Sequence, residues 1–216
     1  MTNTHKKLAF TLAEVLITLG IIGVVAAMTI PTLMSKYYEK QTYTRLKETY
    51  SILSQALRSV EEEYGTPDDW NLSQEYYKSE DSLKIAKILL TSIKVAQDCG
   101  VETNTPCMYS GHYKYLNGNT AGNYGGNGTY KIVLLNGTSI SFGKWNENEL
   151  IDFFVDTNGT APPNQIGQDL FTFGYVKNKG LHPLGDPSLV YDCNKNSSGW
   201  GCTYHLLHNG NMDYLK

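Results

Sequence analysis

One carboxylate stands where carboxylates are costly. From Phe10 to Met34 the chain reads FTLAEVLITLGIIGVVAAMTIPTLM, and Glu14 is the single charged residue in that run. A charged side chain at the centre of a bilayer costs about 2.5–3.5 kcal/mol on insertion scales, so an acid within an apolar span implies a partner and a function. The span holds no Lys or Arg. The partner therefore has to come from outside it, and another chain is one source.

Three other groups of residues could do chemistry. The first is D-T-N-G-T-A-P-P-N-Q-I-G-Q-D at 156–169. Asp156, Asn158 and Gly159 are similar to the opening of a calcium loop, and Asn164 and Asp169 could add oxygens. The loop lacks the closing Glu of an EF-hand at the expected distance. The competing reading is a turn-rich connection whose Asp and Asn side chains cap the backbone. The second group is the four cysteines, Cys99, Cys107, Cys193 and Cys202. Four cysteines allow three pairings. The local pairs Cys99–Cys107 and Cys193–Cys202 are preferred because each closes a short loop, contributing about 2–3 kcal/mol on the chain-entropy model. Neither spacing is the compact hook of a zinc module. The third group is aromatic. Trp145, Trp200 and scattered tyrosines could line a sugar-binding surface or simply pack. His205 and His208 lie three apart in a predicted strand and turn, a poor basis for a shared metal, while His112 and His182 fall in loop-like stretches. No G-x-S-x-G, H-E-x-x-H or glycine-rich phosphate loop occurs, so no enzyme is expected and no cofactor beyond the calcium candidate.

The elements that must position these groups follow from patterning. As a helix, residues 10–34 span roughly 37 Å, enough to cross a hydrocarbon core of about 30 Å. His5, Lys6 and Lys7 precede them, which predicts a cytoplasmic N-terminus and an exported body. A cleaved secretory signal would have a shorter apolar core. A plain signal anchor would have no use for Glu14. Beyond the span, Tyr43, Leu46, Tyr50, Leu53, Leu57, Val60 and Tyr64 recur at spacings of three and four. This predicts an amphipathic helix that lays its stripe on the protein's own sheet, with a coiled coil as the lesser alternative. Gly65 and Pro67 end it.

The rest is predicted to be a β-rich body. Residues 65–98 read as a connection with one short helix, capped by Asp81 and presenting Leu83, Ile85, Ala86, Ile88, Leu89, Leu90 and Ile93. Residues 117–128, rich in Gly and Asn, read as a flexible surface loop. TYKIVLL (129–135), Asn136-Gly137 and TSISF (138–142) predict a hairpin with a favoured turn dipeptide. Residues 150–155 and 171–176 predict further strands, and 202–207 with 212–215 a last hairpin. One long helix followed by antiparallel strands is an α+β domain. Hydrophobic residues at 41% and charged residues at 18% support a real core, and a net charge of −3 gives no general attraction for nucleic acid.

The segment KKLAFTLAEVLITLGIIGVVAAMTIPTL resembles the N-terminal cleavage and methylation motif of type IV pilins and type II secretion pseudopilins. The shared features are a short basic leader, a small residue, Phe-Thr-Leu, Glu fifth from the Phe, and Gly and Pro within the helix. The resemblance covers about residues 5–35 and implies four segments. Residues 1–9 are a leader cut by prepilin peptidase between Ala9 and Phe10, with Phe10 then N-methylated. Residues 10–34 form the membrane and filament-core helix, 35–64 its amphipathic continuation, and 65–216 the exported body. Glu14 matches the acid that pairs with a neighbour's terminal amine. Gly23 and Pro31 match positions where the helix loosens or is interrupted. The family's leader usually ends in Gly, and Ala9 departs from that. The implied fold is a long helix on an antiparallel sheet with a disulfide-pinned C-terminal loop, and a calcium site in a late loop is known in major pseudopilins. The implied partners are the membrane, other pilins, the peptidase, a platform protein and an ATPase. The implied location is the bacterial inner membrane, then a pilus or pseudopilus.

Overall fold

The computed structural model describes residues 11–73, 75–102, 106–126, 128–145, 149–186 and 192–216. The expected leader and the Ala9–Phe10 cut lie outside the described residues. The chain divides into two compact units, Met1–Glu39 and Lys40–Lys216. The division falls inside the first helix, α1 (Leu12–Tyr64), which runs through Pro31 without a break in its assignment.

In the first unit α1 buries nothing of size. Leu12 is 77% exposed, Met28 73% and Leu33 68%. Its most apolar 18-residue window has a mean hydropathy of 2.2 with none of it buried, and the helix is long and apolar enough to cross a membrane.

In the second unit α1 is amphipathic, and its periodicity dictates its packing. Leu46, Leu53, Leu57 and Val60 of the predicted stripe are buried, and Thr42, Thr49 and Ala56 fill the flanks of the same face. Tyr50 stacks on Phe173 with ring centroids 5.4 Å apart. Tyr64, at the end of the stripe, remains exposed.

This stripe covers one face of a six-stranded antiparallel meander, in which each strand pairs with the next in sequence. The strands are β1 (Val95–Gly100), β2 (Tyr130–Leu134), β3 (Ser139–Gly143), β4 (Ile151–Asp156), β5 (Leu170–Val176) and β6 (Gly180–Pro183). Helix α2 (Ser79–Leu89) packs beside α1 on β2 and β3, and α3 (Cys202–Asn209) packs on β5. Successive residues of β4 face opposite sides. Phe153 joins the α1 side with Ile140, Phe142 and Phe173, whereas Phe154 joins a second cluster with Tyr113, Tyr124, Ile166 and Leu170. Every residue of β4 is buried, because the sheet is covered on both faces.

Five sequence expectations change. The second covering layer contains the 117–128 stretch expected as a flexible surface loop. Ala121 and Tyr124 are buried, and Ala121 N donates to Tyr113 O while Ser141 Oγ reaches Tyr124 O. The hairpin turn is a three-residue loop, Leu135–Gly137, with Leu134 bonded across to Thr138 and Gly137 at φ +82°. This is the arrangement in which glycine supplies the left-handed residue that closes a bulged turn. Asp81 does not cap α2. It sits in the first turn, buried, where Oδ2 accepts hydrogen bonds from Ser73 N and Oγ. Leu83, expected on the apolar face of α2, is exposed. The expected last hairpin is helical: residues 202–209 form α3, closed by Gly210 at φ +72°, and Asp213–Leu215 form a short 3-10 turn. Cys202, Thr203 and Leu206 share its buried side, a helical spacing that a strand would split between two faces.

Two disulfides staple the second unit. Cys99–Cys107 ties β1 to the following loop, and Cys193–Cys202 ties the C-terminal loop to the start of α3. Thr203 Oγ1 accepts from Thr172 N just beyond the end of the β5–β6 pairing, so α3 completes the hydrogen bonding of the sheet there.

Candidate functional site

The first candidate site is the start of α1. The helix begins at Leu12, which makes Thr11 the residue ahead of it and places Glu14 in its first turn. Thr11 N and Oγ1 both donate to Glu14 Oε2, at 2.8 and 2.7 Å, and Glu14 N donates back to Thr11 Oγ1 at 3.3 Å. This reciprocal arrangement is a capping box. Its T-x-x-E signature stands in the sequence at Thr11–Glu14. The geometry relocates the cost of that charge. Glu14 is at a helix end, where exposed N–H groups and the helix dipole favour an anion, rather than at the middle of the span. Among the described residues no Lys, Arg or His pairs with it.

Further along the span, a Cβ built on Gly20 or Gly23 meets nothing within 4 Å, so both glycines present bare backbone on an open surface. Pro31 removes one backbone donor from the ladder. Thr29 Oγ1 donates to Val25 O at 2.9 Å in the turn before it.

The second candidate site is the loop between β4 and β5. Asp156 and Asp169 are both fully buried. Asp156 Oδ2 accepts from Tyr113 Oη at 2.7 Å, and its Oδ1 accepts from Asn158 N at 3.2 Å. Asp169 accepts from Asn164 N at 2.7 Å and Gln165 N at 2.6 Å. Burial, then the neighbouring Asp169 charge, push the Asp156 carboxyl well above the usual carboxylate range. Burial pushes Asp169 up to about 6 against the pull of the Gln165 and Asn164 amides. The Oδ1 atoms of Asn158 and Asn164 are also sealed from solvent and accept no hydrogen bond. The structure places Asp156 and Asp169 close enough for their charges to interact, with Asn158 N and Asn164 N donating to one carboxylate each. Backbone capping by the two carboxylates, the competing reading, is present as well.

The histidines do not gather. His205 Nε2 lies 2.7 Å from Asp213 Oδ1, and His208 stacks on Tyr204. Among the described residues no three of His, Cys, Asp and Glu converge on a metal position. The tryptophans do gather: Trp145 and Trp200 each contact Tyr124 and Phe154 on the sheet face opposite α1. Both remain partly exposed.

A long helix with an exposed apolar half, packed by its second half on an antiparallel sheet, is the architecture of a type IV pilin-like protein. The profile of the prokaryotic N-terminal methylation motif matches residues 4–30, which assigns the apolar half to that class. The profile described as Family of unknown function (DUF6613) matches residues 32–184, well over half of the chain, and the chain belongs to this family. The two matches meet at Pro31. No curated protein and no solved structure matches the chain.

Proposed function

We propose that the chain is a structural subunit of a type IV pilus or a type II secretion pseudopilus, with mechanical work and no catalysis. Prepilin peptidase removes residues 1–9, Phe10 is N-methylated, and the chain is stored in the inner membrane with its N-terminus cytoplasmic and its body exported. A platform protein and an ATPase then draw it into a fibre whose core is made of residues 10–34.

The observation that carries this reading is the span of exposed large apolar side chains that coincides with the methylation motif. Such a surface has two sinks, lipid and other helices. Moving a helix from lipid to a helical core gains little hydrophobic energy, so close packing and polar contacts must direct assembly. Gly20 and Gly23 let a neighbouring backbone approach. Glu14 supplies the polar contact. Among the described residues, Thr11 holds its carboxylate through two hydrogen bonds. A neighbour's new Phe10 amine adds an ion pair in a low dielectric, and a buried polar pair is well suited to fixing axial register.

The mass of the mature N-terminal peptide tests processing. Protein from a host with the peptidase should begin at N-methylated Phe10, and protein from a peptidase-deficient host at Met1. A chain that begins at Met1 in both overturns the reading. Glu14→Ala should insert normally and fail to enter fibres, and normal incorporation would remove the register role.

A second reading, an exported binding module for glycans, is favoured by the partly exposed Trp145 and Trp200, which flank the buried Tyr124. Binding to a glycan array that Trp145→Ala and Trp200→Ala abolish would support it.

A further inference from the structure

The turns of α1 that bury one face on the sheet leave the opposite face bare, and the charges on that face are sorted. Lys40, Lys47 and Arg58 recur at steps of seven and eleven residues, close to whole turns, so they form one row. Glu48, Gln55 and Glu62 recur at steps of seven and form a second row, about 70° around the helix axis from the first. All six side chains are exposed. Among the described residues none of the five charged ones forms an ion pair, and even Arg58 and Glu62, one turn apart, stay unpaired.

Each row borders a different part of the sheet. Beside the acidic row lies a groove lined by Glu48, Ile52, Gln55 and the hairpin residues Leu134, Leu135 and Asn136. Leu135, in the β2–β3 turn, is 71% exposed, and Asn136 Nδ2 donates to Glu48 Oε2, which holds that carboxylate at the rim. Beside the basic row lies a cleft on the β5–β6 side, where Arg58 and Lys179 add cations. The exceptions are local. Lys94 also lines the groove, and Glu61 lines the cleft, where Tyr175 Oη donates to it.

The two flanks of α1 thus offer what the other lacks. Lys and Arg lay their apolar stems on apolar surface and keep their charged ends in polar surroundings. Ile52 and Leu135 supply such a surface, and Glu48 and Glu62 supply the counter-charges. The object that carries a matching basic row at this spacing is another copy of the chain. A parallel copy shifted along the axis by about 2–6 Å sets Lys47 opposite Glu48 and Arg58 opposite Glu62. One exposed ion pair contributes little, but a row of them beside an apolar contact fixes orientation and partner. Because two different patches meet, the contact can repeat without closing, as a fibre requires.

We propose that the Glu48–Glu62 row and its groove receive the Lys40–Lys47–Arg58 row of a second copy, as a lateral contact between bodies. This rests on the fibre reading above. The test reverses the rows in the full chain, produced from its own gene in the native host, and measures the fibres sheared from the cells. Lys47→Glu/Arg58→Glu should lower fibre yield at least about tenfold, and Glu48→Lys/Glu62→Lys should do the same. All four changes in one chain exchange the rows and should restore most of the yield. Membrane level and thermal unfolding of the body should match the wild type throughout, because every altered side chain is exposed. Leu135→Ser, which leaves all charges in place, should also lower the yield. Undiminished fibres in either double variant, or no recovery in the fourfold one, overturns the contact and leaves the fibre reading intact. A wild-type chain that enters no fibre overturns both.

Discussion

The two halves of α1 belong to one helix and bury opposite amounts of surface. Between Leu12 and Met34 the large apolar side chains are exposed, Leu12 at 77% and Met28 at 73%, whereas Leu46, Leu53, Leu57 and Val60 are sealed against the sheet. The second half is thus stabilised by its own chain, and its apolar residues are restricted to one face. The first half is apolar all round. A helix of that kind is stable only when buried among other helices or in lipid. A surface the chain does not cover is a surface for something else, so sites for assembly and for folding are separated along a single element. The separation makes distinct demands on each side: substitutions in Lys40–Lys216 should unfold the body and leave insertion alone, and substitutions before Glu39 should do the reverse.

The largest expected effect is on the body. Phe153 is fully buried between α1 and the sheet, and Phe153→Ala should cost about 3–5 kcal/mol. Thermal unfolding of the exported body would show the loss, while membrane fractionation of the full chain should be unchanged. If insertion falls in step with stability, the two regions are not independent. Next is the Cys193→Ser/Cys202→Ser pair, expected to cost about 2–3 kcal/mol on the chain-entropy model and to loosen α3. Hydrogen exchange should rise in residues 192–209 and stay level in 12–34. A smaller effect follows from Lys131, whose ammonium donates to Val101 O, Glu102 O and Gly126 O and which burial holds down to about 8. An unfolded lysine keeps its proton to about pH 10.4. Between those values the unfolded chain binds more protons than the folded one, so stability should rise with pH from about 8 and level off near 10.4. Lys131→Met should flatten that rise, and an unchanged slope would reject Lys131 as its source.

How much of this was legible depended on which force shaped each segment. The α1 stripe and the β2–β3 hairpin follow from periodicity and turn chemistry, and the hairpin strands fall within a residue or two of the ranges read from the sequence. Strands β1 and β6 were missed because they are edges. Gln97 and Asp98 of β1 are exposed, and β6 is Gly-Leu-His-Pro, so neither alternates apolar and polar residues. Edge strands commonly use charge and proline in this way, to discourage pairing with another chain. Helix α3 is hard to read from sequence because Thr and Tyr suit strands, and the tertiary burial of Cys202, Thr203 and Leu206 on one side decides for the helix. The Asp156–Asp169 loop was legible as a cluster of oxygens. Its burial was not, because that depends on Tyr113, some forty residues earlier, folding over it.

The smallest expected effect is also the sharpest probe of the first region. Thr11 holds Glu14 by two hydrogen bonds and receives one in return. Replacing an N-cap threonine by alanine typically costs about 1 kcal/mol, and serine should restore nearly all of it. In the second region a loss of that size would be spread through a cooperative core. In the first there is no core to spread it, so Thr11→Ala should fray the opening turn of α1 alone. Faster amide exchange at residues 12–16 in detergent, with body unfolding unmoved and Thr11→Ser like the wild type, is the expected pattern. The same change frees the Glu14 carboxylate from its intramolecular donor. If the cap merely shelters Glu14 during storage, Thr11→Ala should still enter fibres. If the cap also aims the carboxylate at a neighbour, incorporation should fall with the cap even though Glu14 is intact.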